Sequence, residues 1–282
     1  MDKRSLDNLI HGAEEKWMSL LWTYCSKLFS GTTLPSHDQF HHYRVWHYLK
    51  QVMTGLTGAG ISLSERIPEK AIIAAFFHDT GLVHTMDESH GSAGRAMCLD
   101  FFRASGLPYP QGIDEILFAI EQHDDKAYRA HEDDNSGNGQ VPGGSSSGIT
   151  GLLALLSTGD DMDALGYIGI YRYAEIYLLR GVSEPDLPSE VLPNLENRFH
   201  NLLHRYGNLT SFISVQKQRY ALIRDFYSSP DNLKILRFLH KNAEKGSNLL
   251  DMSIIDSMQN NEGIILDFIR LLHEENSVFP YP

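Results

Sequence analysis

The chain has little cysteine and no long apolar run. Only Cys25 and Cys98 occur, and they form no CxxC pair. A disulfide framework or a thiolate zinc site is therefore not expected, and a reducing compartment is favoured. The N-terminal segment lacks an apolar core of signal-peptide length, and no run approaches the roughly 18 apolar residues of a membrane span. We therefore expect a cytoplasmic protein with no membrane partner.

Clustered basic residues are also missing, and the net charge is −12. Because the phosphate backbone of nucleic acids attracts basic stripes, we expect no nucleic-acid backbone partner. No GxxxxGK[ST] loop occurs, which excludes nucleotide chemistry of the P-loop kind. The hydrophobic fraction of 42% is ordinary for a globular protein, whereas the 14 histidines are the one compositional oddity.

Alternating strand patterns are absent too, and nearly every periodic segment has helical spacing. We therefore predict an all-α fold. The segment that begins near Pro68 and continues through AIIAAFF is apolar on most sides, so we expect this helix to be central. Further helices are predicted over 6–29, 38–53, 90–104, 113–123, 149–165, 167–179, 195–206, 209–227, 232–239 and within 251–273.

The predicted domain organisation has two parts. Residues 1–180 form a helical core that contains a flexible loop at 131–148, rich in Gly and Ser. Residues 181–282 form a C-terminal helical extension packed on this core, and 181–193 is a connection punctuated by prolines. Residues 195–282 also offer surface for a possible homodimer.

Several histidines and aspartates lie on the apolar stripes of different predicted helices. The stripe residues are His41, His78, Asp79, His90, His123 and Asp160. A lone inward histidine is more often a hydrogen-bonded core residue than a metal ligand. However, an ionised carboxylate is costly to bury unless it is paired or holds a metal, and imidazole with carboxylate suits Mn²⁺, Fe²⁺, Co²⁺, Ni²⁺ or Zn²⁺. The joint occurrence therefore predicts a divalent metal site.

The order of these residues resembles the H…HD…D signature of the HD superfamily of metal-dependent phosphohydrolases. HDQFHHYRVW is similar to the opening motif with His41, AAFFHDTG to the central motif with His78 and Asp79, and STGDDMDALG to the segment with Asp160. The resemblance covers roughly 35–180 and implies an HD-domain helical bundle in which these four residues bind the metal. Asp163 falls on a common structural aspartate.

Two further histidines resemble those that binuclear members of the superfamily add. They are His90 in ESHGSAGRA and His123 in AIEQHDD. The resemblance then implies that Asp79 bridges two ions. Where several relatives carry a lysine after the HD motif, this chain has Leu82, so a mechanism that needs that lysine is not expected here. His42, His47, His84 and His131 are expected at the surface or in support of the ligands.

The resemblance implies hydrolysis of a phosphate ester, of a nucleotide or another small phosphorylated metabolite. One or two divalent ions (Mn, Fe, Co, Ni, Zn or Mg) would lower the pKa of bound water toward neutrality. Asp79 is the candidate proton acceptor. Arg44, one helical turn from His41, is a candidate to meet a phosphate oxygen, with a surface salt bridge as the alternative. Lys126 is a weaker candidate for the same role.

Two other functions remain open at this point. Some HD proteins use the six-ligand set to activate O₂, so a di-iron oxygenase is one alternative. A non-catalytic module that binds a nucleotide or a partner protein is the other. Retention of buried carboxylates weakens the second alternative, because a binding module has no need of them.

Overall fold

The fold was analysed in a computed structural model that describes residues 2–87, 89–124, 148–251 and 263–279. Over these ranges the regular elements are helices and no strand is present, so the predicted all-α class is confirmed. In the same ranges, no helix combines the length and apolar character needed to cross a membrane. The α-helices are α1 (Lys3–Phe29), α2 (Gln39–Gly58), α3 (Ile67–Phe77), α4 (His90–Ser105), α5 (Ile113–Gln122), α6 (Leu152–Asp163), α7 (Gly166–Leu179), α8 (Leu187–Tyr206), α9 (Thr210–Ser228), α10 (Leu233–Ala243) and α11 (Gly263–Asn276).

Most helix boundaries lie within five residues of the predicted ones, and α8 differs more. The helix predicted within 251–273 falls partly on 252–262, outside the described residues, and α11 covers Gly263–Asn276. The predicted Pro-rich connection ran to residue 193, but α8 already begins at Leu187. Pro188 stands in its first turn, where the missing N–H is not needed. Pro193 lies inside the helix, so the later proline does not end the helical segment as expected. The predicted loop 131–148 and Lys126 lie outside the described residues, apart from Gly148 at the end of the loop.

Contacts between residues divide the chain into two compact units. The first comprises Met1–Leu28 and His42–Asp160, and the second comprises Phe29–His41 and Asp161–Pro282. These units do not follow the predicted division at residue 180, which stays a prediction. One boundary falls inside α2, between His41 and His42.

Helix α3 forms the centre of the first unit. Nine of its residues are buried, which agrees with its expected central position. It packs against α4 and α5, and α4 also contacts the short 3-10 turn Thr80–Val83. Because α3 ends at Phe77, the next two residues, His78 and Asp79, are delivered at the end of a buried helix.

Helix α7 has the corresponding position in the second unit. Eleven of its 14 residues are buried, and α8, α9, α10 and α11 all pack against it. Two charged residues, Arg172 and Glu175, lie within this otherwise apolar helix and are buried as well. Burial raises the pKa of the Glu175 carboxyl to about 8, although the hydroxyl and backbone N–H of Ser36 donate to it.

Arg219 connects three segments of the second unit through its guanidinium. It donates to the backbone carbonyls of Met162 and Leu165, where α6 ends, at 2.9 Å each. It also donates to Glu275 Oε1 of α11 at 2.7 Å and to Gln216 of its own helix at 2.9 Å. These bonds satisfy carbonyls that a helix end leaves without intrahelical partners.

Replacing Arg219 by methionine is expected to destabilise the protein by about 3 kcal/mol, because it leaves a mostly buried carboxylate without its cationic partner and removes the donor to two carbonyls. The free energy of unfolding in urea measures this effect. Arg270→Met is the matched control on α11, since Arg270 pairs with Asp267 while two-thirds exposed (67%). The control should change stability by less than about 0.5 kcal/mol. Equal losses in the two variants would contradict the structural role given to Arg219.

Candidate metal centre

Three of the predicted ligand histidines are held in the same way by the backbone. The Nδ1 atoms of His78, His90 and His123 lie 2.9, 2.7 and 2.8 Å from backbone carbonyl oxygens. In each case the carbonyl belongs to the residue three positions earlier in the chain. A carbonyl only accepts, so each Nδ1 carries a proton and, when the ring is neutral, its lone pair is on Nε2. This is the arrangement that orients a histidine for a metal.

Helix ends explain this common geometry. His78 follows the last residue of α3, and His123 follows the last residue of α5. The final carbonyls of a helix lack intrahelical partners, and an imidazole just past the end reaches one of them. The negative end of the helix dipole also favours a cation there. His90 is instead the first residue of α4, and its Nδ1 donates to the carbonyl of Asp87 just before the helix.

His41 is oriented by a side chain rather than by the backbone. Its Nδ1 lies 2.8 Å from Asp163 Oδ2, and both side chains are fully buried. The Nη2 atom of Arg172 lies 3.3 Å from His41 Nε2. Because a carboxylate accepts and a guanidinium donates, the two contacts together place the proton on Nδ1 and the lone pair on Nε2. Asp163 therefore orients the ring of His41, which is the kind of structural role that the resemblance implies.

Asp79 lies among the imidazoles of the first unit. Its Oδ1 is 3.1 Å from His123 Nε2 and 3.4 Å from His90 Nε2. Its Oδ2 is 3.5 Å from His78 Nε2, which in turn lies 3.9 Å from Asp160 Oδ1. All five side chains are buried. The two oxygens of one carboxylate thus face different sets of histidines.

Two groups of potential ligand atoms result, and Asp79 belongs to both. We call His41, His78, Asp79 and Asp160 the first subsite, and Asp79, His90 and His123 the second subsite. Within each group, one ligand atom from every residue lies within 4.8 Å of all the others. All six residues are buried. The structure therefore brings together every residue that the sequence predicted as a ligand, while their binding of metal stays a prediction.

The chemistry of the second subsite fits a bound cation. The Nε2 atoms of His90 and His123 face each other at 3.4 Å, and both lie near Asp79 Oδ1. Two lone pairs and a carboxylate oxygen repel one another unless a positive charge lies between them. Burial lowers the pKa of His90, but the hydrogen bond and charge of Asp79 outweigh burial and raise it to about 9. The site therefore attracts positive charge, and a divalent ion supplies it without a proton.

Glycines allow α4 to lie close to the end of α3 and to the 3-10 turn Thr80–Val83, and this close approach places His90. A Cβ on Gly81 would overlap the carbonyl oxygen of His90, and a Cβ on Gly94 would lie 2.7 Å from the carbonyl oxygen of Phe77. On the other side, a Cβ on Gly91 would lie 2.6 Å from the Glu121 carbonyl oxygen of α5. These glycines were not recognised from the sequence, although two of them stand in the ESHGSAGRA segment.

Gly81→Ala is expected to displace α4 and to remove metal from the second subsite selectively. The new methyl group overlaps backbone, which cannot rotate away, so His90 moves relative to Asp79. Elemental analysis should show about one metal equivalent less per chain than in the unmodified protein. Gly12→Ala is the matched control, because nothing lies within 4 Å of its Cβ in the middle of α1. Full metal content in Gly81→Ala would contradict the placement of His90.

The remaining predicted residues have different outcomes. Arg44 is only 1% exposed, so the alternative of a surface salt bridge is wrong, while its contact with phosphate stays a prediction. Leu82 stands where several relatives carry a lysine. Its uncharged side chain is buried in the turn after Asp79, so this position supplies no cation. His42 is buried and supports the site, because its Nδ1 bonds the Ala75 carbonyl that His78 also bonds.

Sequence reasoning did not find Arg172, which the structure places beside His41. A signal was present in GYIGIYRYAEIYLL, where Arg172 and Glu175 interrupt an apolar helix. A buried arginine needs an anion or an acceptor, so its position in this helix marks a polar site. Nothing local in the sequence indicated that the acceptor would be a predicted metal ligand on a helix more than a hundred residues earlier.

Helical architecture and buried imidazoles and carboxylates define a helical protein able to hold a divalent ion. Residues 40–155 match the model of the HD domain. The resemblance noted from the motifs is thereby confirmed. HD domains bind divalent metals, and five of the six predicted ligands lie inside the match, which ends shortly before Asp160. Comparisons with curated proteins and with solved structures gave no significant match.

Proposed function

We propose that this protein is a metal-dependent phosphohydrolase that acts on a nucleotide or another small phosphorylated metabolite. The observation that carries the proposal is the presence of Asp79 in two buried groups of potential ligands, five of whose six residues lie in the part of the chain that matches the HD domain. Two-metal sites of this kind suit phosphate esters, because a pair of ions can meet the attacking and leaving oxygens of one phosphoryl group.

Each part of the site has a role in the proposed reaction. His41, His78, Asp79 and Asp160 would hold the first ion, and Asp79, His90 and His123 would hold the second. A divalent ion supplies Lewis acidity and lowers the pKa of a water molecule toward neutrality. Burial of the side chains limits the water around them and strengthens the electrostatic interactions at the site. The proposed proton acceptor is Asp79, the carboxylate nearest to both groups of histidines.

An anionic substrate also agrees with the charge balance. The chain carries a net charge of −12, so its own surface does not attract phosphate. Bound divalent ions are the largest local charges in a metal site and reverse this sign where the substrate binds. A cytoplasmic location, the absence of a nucleic-acid partner and formation of a homodimer stay predictions from the sequence.

The test combines metal content with a substrate screen. Protein purified without chelators and under reduced oxygen is analysed for metal per chain. It is then assayed for phosphate release or ring opening with nucleoside phosphates, cyclic nucleotides and sugar phosphates. His78→Ala is expected to abolish turnover. His84→Ala is the matched control, because His84 is exposed and belongs to neither ligand group. Full turnover in His78→Ala would reject the proposal, and full metal without any turnover would favour a binding module.

A second candidate function is an iron-dependent oxygenase, and the composition of the second subsite favours it. Asp79, His90 and His123 form a set of two histidines and one carboxylate. This set with open positions is typical of non-haem iron sites that activate oxygen. Iron at both subsites with consumption of O₂ would select this function, whereas turnover of a phosphate ester without O₂ would reject it.

A further inference from the structure

Two buried charged residues of α7 contact the same short segment of the second unit. Arg172 and Glu175 are three positions apart, which puts them on one side of the helix. The Nη2 atom of Arg172 lies 3.3 Å from His41 Nε2. Glu175 bonds Ser36, which lies five residues before His41 in the chain. The two charges that interrupt an apolar helix thus meet the two ends of segment 36–41.

The carboxylate of Glu175 holds the 3-10 turn Pro35–His37, which comes just before α2. The backbone N–H of Ser36 donates to Oε1 at 3.2 Å and to Oε2 at 3.1 Å, and the Ser36 hydroxyl also donates to Oε2. Both residues are buried, and the turn packs against α7. Because one carboxylate bonds the backbone and the side chain of the same residue, it fixes both the position and the direction of this turn.

The turn is connected to His41 through the backbone and through a ring contact. The His41 N–H donates to the Asp38 carbonyl at 3.0 Å, and Asp38 Oδ1 accepts from the Phe40 N–H in the first turn of α2. His37 Nδ1 lies 2.8 Å from Ser36 Oγ. The ring of His37 packs edge-on against the ring of His41, with centroids 5.5 Å apart. A displacement of Ser36 would therefore reach His41 by two routes.

We propose that Glu175 is a positioning residue that fixes where His41 lies in the first subsite. Asp163 sets the rotation of the His41 ring, whereas Glu175 sets the start of the helix that carries it. This matters for a metal ligand, because ligand atoms must be held within about 0.5 Å of their productive positions. The inference rests on the metal binding by His41 that the proposed function requires, and not on the substrate. Glu175 lies outside the part of the chain that matches the HD domain.

The test measures the affinity for cobalt(II) in competition with a chromophoric chelator. His123→Ala is the background, so that the titration reports the first subsite. In this background Glu175→Leu, which removes the acceptor of Ser36, is expected to weaken cobalt binding about tenfold, because a ligand loses the support that orients it. Glu175→Gln keeps an acceptor oxygen and should stay within about threefold of the background protein.

The His41→Ala background separates positioning of His41 from a general loss of structure. Cobalt bound in this background depends on other ligands, so Glu175→Leu should change its affinity by less than about twofold there. Tyr227→Phe is the matched control, because Tyr227 donates a buried hydrogen bond to the Ile170 carbonyl of the same helix. This control should leave cobalt affinity unchanged in both backgrounds.

Ser36→Ala decides the inference if Glu175→Leu does not fold, which thermal unfolding establishes. It removes the hydroxyl and leaves the backbone N–H bonded to Glu175, so cobalt affinity should fall about threefold in the His123→Ala background. Unchanged affinity in the folded variants, or an equal loss in the His41→Ala background, overturns the positioning role alone. Absence of cobalt binding by His123→Ala itself would overturn the first subsite and the proposed function with it, so the two failures are distinguishable.

Discussion

Asp79→Asn is expected to remove metal from both subsites and to abolish phosphate-ester turnover. Asp79 is the residue common to the two ligand groups, and the substitution keeps the shape of the side chain while removing its charge. Loss of the ions removes their charge stabilisation of the reaction, so turnover should fall by at least about a thousandfold. Elemental analysis and the phosphate-release assay measure the two effects on the same preparation.

His123→Ala provides the comparison that gives the Asp79 result its meaning. His123 belongs to the second subsite alone, so this variant should keep about one equivalent of metal per chain. A general effect of altering a buried residue would lower metal content similarly in both variants. If Asp79→Asn retained as much metal as His123→Ala, Asp79 would not be a shared ligand.

Removal of metal is expected to cost the protein much of its stability. Without an ion, the buried carboxylates and imidazoles at both subsites lack the positive charge that their arrangement attracts. At a free metal concentration about a thousand times the dissociation constant, binding to the folded state adds about 4 kcal/mol for each site. Chelation should therefore lower the melting temperature by about 10 °C or more, and adding the metal back should restore it.

Asp79→Asn supplies the control for this stability experiment. Its melting temperature should not respond to chelator or to added metal, because it lacks the shared ligand. A similar response in this variant would assign the effect to metal binding elsewhere on the chain. An unchanged melting temperature after complete removal of bound metal from the parent would contradict coupling between the site and folding.

Periodicity predicted the burial of the six candidate ligands, whereas His37 and Asp161, which are buried as well, were not singled out. His41 and Asp160 share faces with apolar residues along their helices, and burial of those faces brings both side chains into the interior. His78 and Asp79 were identifiable because they end an apolar helix. The positions of helix ends and the direction of each ring were not predictable, because they depend on local hydrogen bonds that residue type does not specify.

The second unit shows where prediction from sequence was weaker. Pro193 indicated a break, but the surrounding packing of α8 retains the helix through it. Arg172 was not recognised because its acceptor lies on a helix distant in sequence. In both cases tertiary contacts outweigh the local signal. Such contacts are the part of a structure that composition and spacing do not encode directly.

Support of three imidazoles by the backbone has a consequence for how the site tolerates variation. The carbonyls that orient His78, His90 and His123 belong to Ala75, Asp87 and Ile120. A substitution at one of those supporting positions leaves the backbone carbonyl in place, so the substitution need not change the orientation of the histidine ring. His41 depends instead on the side chain of Asp163, where almost any substitution removes the support. Natural variants of this protein should therefore accept many residues at the exposed position 87 and apolar residues of suitable size at the buried positions 75 and 120, but retain an acidic residue at 163.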